Sequence, residues 1–195
     1  MAARRAGALR VVFGINAGMF LAEFTAGLLI GSTALLGDSL DMLGDALVYG
    51  FSLYALGRSL RWRNGAALLK GLGMAGFGLA VLAHALFQLA HGAAPAGGPM
   101  AAVAALAMAA NAICFALLYR HRAADLNMRS TWLCSRNDLI ANAGVLLAAA
   151  GVHATGSSWP DILVGIAIAG LFLATAAGVL KASADALMRP EVRKA

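Results

Sequence analysis

Six apolar stretches, each about as long as a helix needs to cross hydrocarbon, take up almost the whole of this 195-residue chain. They run approximately over Leu9 to Ile30, Ala34 to Leu60, Leu69 to His91, Pro99 to Tyr119, Met128 to His153 and Pro160 to Ala182. The breaks carry turn chemistry, in Gly31-Ser32, in the Gly/Pro-rich run from Gly92 to Pro99, and in Gly156-Ser-Ser-Trp159-Pro160. With 61% hydrophobic and only 12% charged residues, the chain cannot clothe a water-soluble surface, which needs roughly a quarter charged. The expectation is an all-α membrane protein, a six-transmembrane-helix bundle that forms one transmembrane domain over 1–195 and has lipid around it. No soluble domain fits between the spans.

The net charge of +6 raises nucleic acid as a partner, and the placement of the cations removes it. Arg4, Arg5 and Arg10 precede the first stretch, and Arg58, Arg61, Arg63 and Lys70 join the second to the third. Arg120, Arg122 and Arg129 join the fourth to the fifth, and Lys181, Arg189, Arg193 and Lys194 close the sixth. The three alternate connections hold no Lys or Arg. Positive charge collects on the cytoplasmic side of a membrane, so both termini are expected there. Asn16 and Glu23 argue that the first stretch is a retained helix and not a cleaved leader. The two cysteines, Cys114 and Cys134, lie inside apolar stretches and encode no disulfide framework.

The chemistry lies in the acids. An ionised side chain at a helix centre in a bilayer costs at least ~2.5 to 3.5 kcal/mol, so each such acid is a functional hypothesis. Glu23 falls in the first stretch, Asp38, Asp41 and Asp45 in the second, and Asp138 in the fifth. Asp41 and Asp45 are four apart, which puts both carboxylates on one helix face. Asp38 shares that stripe nearer the helix start. Without a counter-ion, three carboxylates this close cannot all stay ionised, so they bind metal, protons, or each in turn. Cys134, Asp138 and Asn142 repeat the four-residue interval on the fifth stretch. Two carboxylates facing a carboxylate and a thiolate make a tetrahedral set suited to Zn2+ or Cd2+ as the bound ion, with no permanent cofactor. Cys134 has a competing reading as a small buried hydrophobe, and Cys114 is read as packing. Asn16 and Glu23, seven apart, lie on one side of their helix, as a structural polar network or part of a proton path. Arg136 points off the Cys134 and Asp138 stripe. His84, His91, His121 and His153 have no paired spacing and are not expected to bind metal.

Taken together, Asn16, Glu23, Gly27, Gly31-Ser32-Thr-Ala34, Gly37-Asp38-Ser39-Leu-Asp41-Met-Leu-Gly-Asp45, Asn127-Met-Arg-Ser130 and Trp159-Pro160-Asp161 resemble the cation diffusion facilitator family along nearly the whole chain. The resemblance implies a six-helix exporter of divalent metal that works by exchange for protons. It implies a transport site at Asp41, Asp45, Cys134 and Asp138, with Cys134 where histidine is usual, and Asp38 and Asn142 as possible additional ligands. Most members of that family carry a cytoplasmic domain after the sixth helix, and the chain resembles the short branch without it. A homodimer would then form through membrane helices, with the glycine-rich Gly71 to Gly78 face of the third as its expected seam. A bacterial inner (plasma) membrane is the expected location. Two other functions compete: a non-transporting assembly partner that keeps the fold, and a membrane-embedded aspartyl hydrolase.

Overall fold

The computed structural model describes residues 2–54, 60–91, 94–119 and 126–188, and among them some side chains, including those at 126–137, lie outside the description. Six helices follow in order: α1 (Ala2–Ile30), α2 (Thr33–Tyr54), α3 (Leu60–His91), α4 (Gly97–Tyr119), α5 (Leu126–Thr155) and α6 (Trp159–Met188). Five of them contain segments long and apolar enough to span a membrane: Arg10–Ile30, Gly71–His91, Gly97–Tyr119, Asp138–Thr155 and Trp159–Ala182. The one left out is α2. It carries Asp38, Asp41 and Asp45 and sits inside the bundle, where Ser32 to Leu40 are all buried.

Several helices outrun the lengths expected from hydropathy. α3 starts at Leu60 and not Leu69, and its 32 residues cover about 48 Å against a hydrocarbon core of about 30 Å. The extra turns contain Arg61 and Arg63, which continue the helix where apolar composition stops, and Leu60, expected to close the second stretch, opens α3 instead. The cationic connections at 55–59 and 120–125, and the segment 189–195, lie outside the described residues.

The exterior is apolar. Leu29 is 83% exposed, Leu147 74% and Leu171 73%, alongside Leu21, Leu86, Ile140 and Leu163. In water this would be a contiguous aggregating surface, so the molecule is built to face lipid.

The helices associate chiefly as neighbours in pairs, α3 with α6, α1 with α2, and α4 with α5, while α2 also packs on α6. Small residues set those distances. A side chain on Gly27 would strike Leu36, so α1 and α2 lie close from their turn onward. The turn itself is a helix stop in which Gly31 adopts φ +73° and the amides of Gly31 and Ser32 both donate to the Gly27 carbonyl, a backbone form that suits glycine. On α3 the glycines divide. Gly71 and Gly78 are seated against Leu180 and Leu173 of α6, whereas Gly73 and Gly76 face open space. The glycine face expected to serve as a dimer seam is therefore half used within the chain.

Candidate functional site

α2 brings Asp41 and Asp45 to the wall of a cavity of about 400 Å³, and α5 brings Asp138 to the same cavity. Met74 of α3 and Ile168, Leu171, Phe172 and Thr175 of α6 complete most of the wall. The lining runs along α2 from Asp41 to Val48 and along α6 from Ile168 to Thr175, at the middle of both helices. The carboxyls of Asp45 and Asp138 come within hydrogen-bonding range of each other across the α2–α5 contact. The volume admits a hydrated cation, since water occupies about 30 Å³ in the liquid. Among the described residues no three His, Cys, Asp or Glu side chains close on a single ion-sized point. The three carboxylates instead stand around the wall of a wider chamber. Cys134 belongs to α5, and its side chain, like that of Arg136, lies outside the described residues.

Asp38 and Asn142, considered as additional ligands, are brought together but not on the cavity wall. The Asn142 amide donates to the Asp138 carbonyl at 2.9 Å and to Asp38 Oδ1 at 3.2 Å. Both residues are buried, as is Glu23, whose carboxyl comes within hydrogen-bonding range of Asp38. Helical periodicity puts Glu23 and Asp38 on faces but does not say that the faces meet. Counting outward from the turn does: Glu23 stands eight residues before Gly31 and Asp38 seven after it, so two antiparallel helices of equal rise bring them level.

Asn16 shares the buried side of α1 with Glu23 but joins a different group. Its amide donates to the Val12 carbonyl at 2.9 Å and approaches Cys114 Sγ at 3.8 Å. Cys114, expected only to pack, does so among Val12 and Leu118, and it also lies within electrostatic reach of Asp45 and Asp138.

A second polar centre, unforeseen in the sequence, closes the end of the bundle at the α1–α2 turn. Asp161, in the first turn of α6, is fully buried and accepts four hydrogen bonds. Oδ1 takes the Ser32 hydroxyl at 2.6 Å and the Ala34 amide at 3.0 Å; Oδ2 takes the Thr33 amide at 2.8 Å and Gln88 Nε2 at 3.0 Å. It thus caps the N-terminus of α2 from another helix, where orphan amides and the helix dipole both favour a carboxylate. Gln88 also donates to the Gly31 carbonyl at 3.0 Å and accepts from the Thr33 hydroxyl at 2.5 Å. The Thr33 proton is then committed, so His84 Nδ1, 3.0 Å away, is the donor to Thr33 Oγ1. Ser32 completes the cap by accepting from the Leu35 amide at 3.1 Å. Close approach is built in, because a Cβ on Gly165 would lie 2.5 Å from Thr33 Cγ2. The available signal was an acid opening a helix that follows a proline, but its partners lie 73 to 129 residues away in sequence.

An apolar exterior, six packed helices and carboxylates from α2 and α5 around one cavity between the helices define a multi-pass membrane protein with an acidic site. The carboxylates suit a cation. The chain belongs to the cation efflux family, whose transmembrane domain matches residues 9–188. It is 30% identical over 193 residues to the zinc transporter ZitB of Escherichia coli (strain K12), covering 92% of this chain and 62% of that protein. Over 192 residues it is 24% identical to the metal cation efflux system protein CzcD of Cupriavidus metallidurans, covering 92% and 61%. The chain therefore spans about three fifths of the length of these relatives. Its family is one of transporters and not of enzymes.

Proposed function

We propose that this chain exports a divalent cation, Zn2+ or Cd2+, from the cytosol in exchange for protons, with Asp41, Asp45, Asp138 and Cys134 as its ligands. The observation that carries the reading is the common cavity of Asp41, Asp45 and Asp138, drawn from two helices. Relatives named as a zinc transporter and a metal cation efflux protein support the choice of cargo. The thiolate of Cys134 favours borderline and soft ions over magnesium and calcium.

Exchange follows from the donor set. A carboxylate must lose its proton to bind a cation, so loading expels protons and re-protonation expels the cation. One site therefore serves both ions, and alternating access couples their movements. The cavity lies at the middle of α2 and α6, and the Asp161 centre holds the N-terminal ends of both helices together. Cations flanking the helices set both termini toward the cytoplasm. In this reading residues 1–195 form a single transmembrane domain of the inner membrane, paired as a homodimer through membrane helices, with Gly73 and Gly76 of α3 available at the seam.

Everted vesicles loaded with a zinc-sensitive dye test the reading. Asp45→Asn and Asp138→Asn, which keep side-chain volume but remove a charge from the cavity, should abolish pH-gradient-driven zinc uptake while the protein still inserts. Uptake at the wild-type rate in either variant removes the cavity acids from transport.

A further inference from the structure

Beyond the cavity lies a second group of buried oxygens that meet no Lys, Arg, amide or hydroxyl donor among the described residues. Glu23 is fully buried, and among the described residues neither of its carboxyl oxygens has a partner other than the Asp38 carboxyl beside it. Asp38 is also fully buried and leaves Oδ2 without one, and Asn142, 1% exposed, leaves Oδ1 without one. Four acceptor oxygens from three helices are thus withdrawn from water, and among the described residues only a proton shared between the two carboxyls could be donated to any of them. An unpaired buried polar group costs ~1 to 3 kcal/mol and more if charged, so a protein does not gather four without something that satisfies them.

The arrangement is held in place. Glu23 faces Asp38 within hydrogen-bonding range, and the Asn142 amide fixes Asp38 Oδ1 at 3.2 Å and leaves Oδ2 uncommitted. The amide cannot be reversed to relieve its own oxygen, because its nitrogen already donates to two acceptors, Asp38 Oδ1 and the Asp138 carbonyl. The described Arg and Lys side chains, Arg10 and Lys181, are exposed and not in the bundle interior.

We propose that Glu23, Asp38 and Asn142 form a second cation station, which binds a divalent ion through oxygen atoms alone and is separate from the cavity of Asp41, Asp45 and Asp138. Charge selects the valence: two carboxylates and one divalent ion sum to zero, whereas an alkali ion leaves a net negative charge in a medium that penalises it. The donors select the class, because a set of carboxylate and amide oxygens without sulfur or imidazole suits hard ions such as Mn2+ and Mg2+. The location gives it a place on the path. Asp38 is one helical turn from Asp41 on the side of the α1–α2 turn, so the station lies between the cavity acids and the Asp161 centre. The station stands on the geometry of Glu23, Asp38 and Asn142, whether or not the cavity acids carry the cargo.

Binding of Mn2+ to the purified full chain in lipid nanodiscs, followed by electron paramagnetic resonance, tests the proposal. In an Asp45→Asn, Asp138→Asn background, which disables the cavity, one equivalent of Mn2+ should remain, and adding Glu23→Gln should remove it. Should Glu23→Gln fail to insert, Asn142→Ala, which keeps both carboxylates, replaces it and should raise the Mn2+ dissociation constant in the same background. A background that binds no Mn2+ overturns the proposal, and so does an equivalent that survives both Glu23→Gln and Asn142→Ala. A background that binds no Mn2+ but holds one proton more than its Glu23→Gln derivative on potentiometric titration assigns the pair a shared proton and likewise ends it. In either case a wild-type equivalent lost on disabling the cavity leaves the transport reading standing.

Discussion

Replacing Asp161 by alanine should loosen the end of the bundle that the cavity does not reach. Four donors converge on this carboxylate, and they are not equally replaceable. Gln88 retains the Gly31 carbonyl, and the Ser32 hydroxyl can rotate. The amides of Thr33 and Ala34 cannot move, and both residues are fully buried at the first turn of α2. Two orphaned amides at ~1 to 3 kcal/mol each, with the loss of an anion at a helix N-terminus, give a destabilisation of about 3 to 5 kcal/mol. For a chain of this length that corresponds to a fall of about 10 °C in Tm. Heating the purified protein in detergent and following the surviving monodisperse fraction by fluorescence-detected size exclusion gives the midpoint. Asp161→Asn should lose about half as much, since one oxygen still serves Ser32 and Ala34 while its amide nitrogen confronts the donors Thr33 N and Gln88 Nε2. Asp185→Asn, at an exposed position on α6, is the control and should leave the midpoint unchanged. A midpoint for Asp161→Ala within about 2 °C of wild type refutes the reasoning, because it shows that α2 holds its N-terminus without the cap.

The α3 glycines give a paired test. Gly78→Ala places a methyl 2.7 Å from Leu173 Cδ2 and should cost about 1 to 3 kcal/mol in the same assay, while Gly76→Ala meets nothing within the chain and, alanine being small enough for a helix seam, should be near neutral. Gly165→Ala, which puts its methyl against Thr33 backbone as well as side chain, should cost more than Gly78→Ala, where a leucine tip can yield. If Cys134 is a ligand, Zn2+ or Cd2+ should protect it from a maleimide, with at most one site labelled per chain because Cys114 is 1% exposed. Labelling of Cys134 at an unchanged rate under saturating metal removes it from the ligand set.

Much of this arrangement is legible in the residues. Each apolar stretch reports a helix because its length must match hydrocarbon, and the four-residue step from Asp41 to Asp45 reports a shared face because helix geometry requires one. The helix ends are less legible, as α3 shows: its first turns are cationic, and hydropathy measures where lipid ends, not where the helix does. The contacts between helices are least legible. Asp161, Gln88 and Thr33 are each ordinary in their own segments, and only the packing of α3 and α6 against the α1–α2 turn unites them. Glu23 and Asp38 fall between these cases, since a short helical hairpin converts sequence distance from the turn into height. Cys114 illustrates the remainder: its burial was foreseeable from its apolar neighbours, but its closeness to Asp45 and Asp138 depends on how α4 lies across α1 and α5.

The acidity of α2 has a consequence for biosynthesis. Three aspartates oppose insertion of a lone span by roughly 8 to 10 kcal/mol on the biological scale, so a ribosome-bound intermediate ending after α2 gains little by releasing that segment into lipid. The neighbours that shield it are made later, and Asp161, which caps it, emerges 129 residues after Ser32. Maturation of such a chain is thus obliged to hold an unfinished second helix beside the translocon until the sixth arrives, and truncation before Trp159 should yield a species that quality-control proteases recognise.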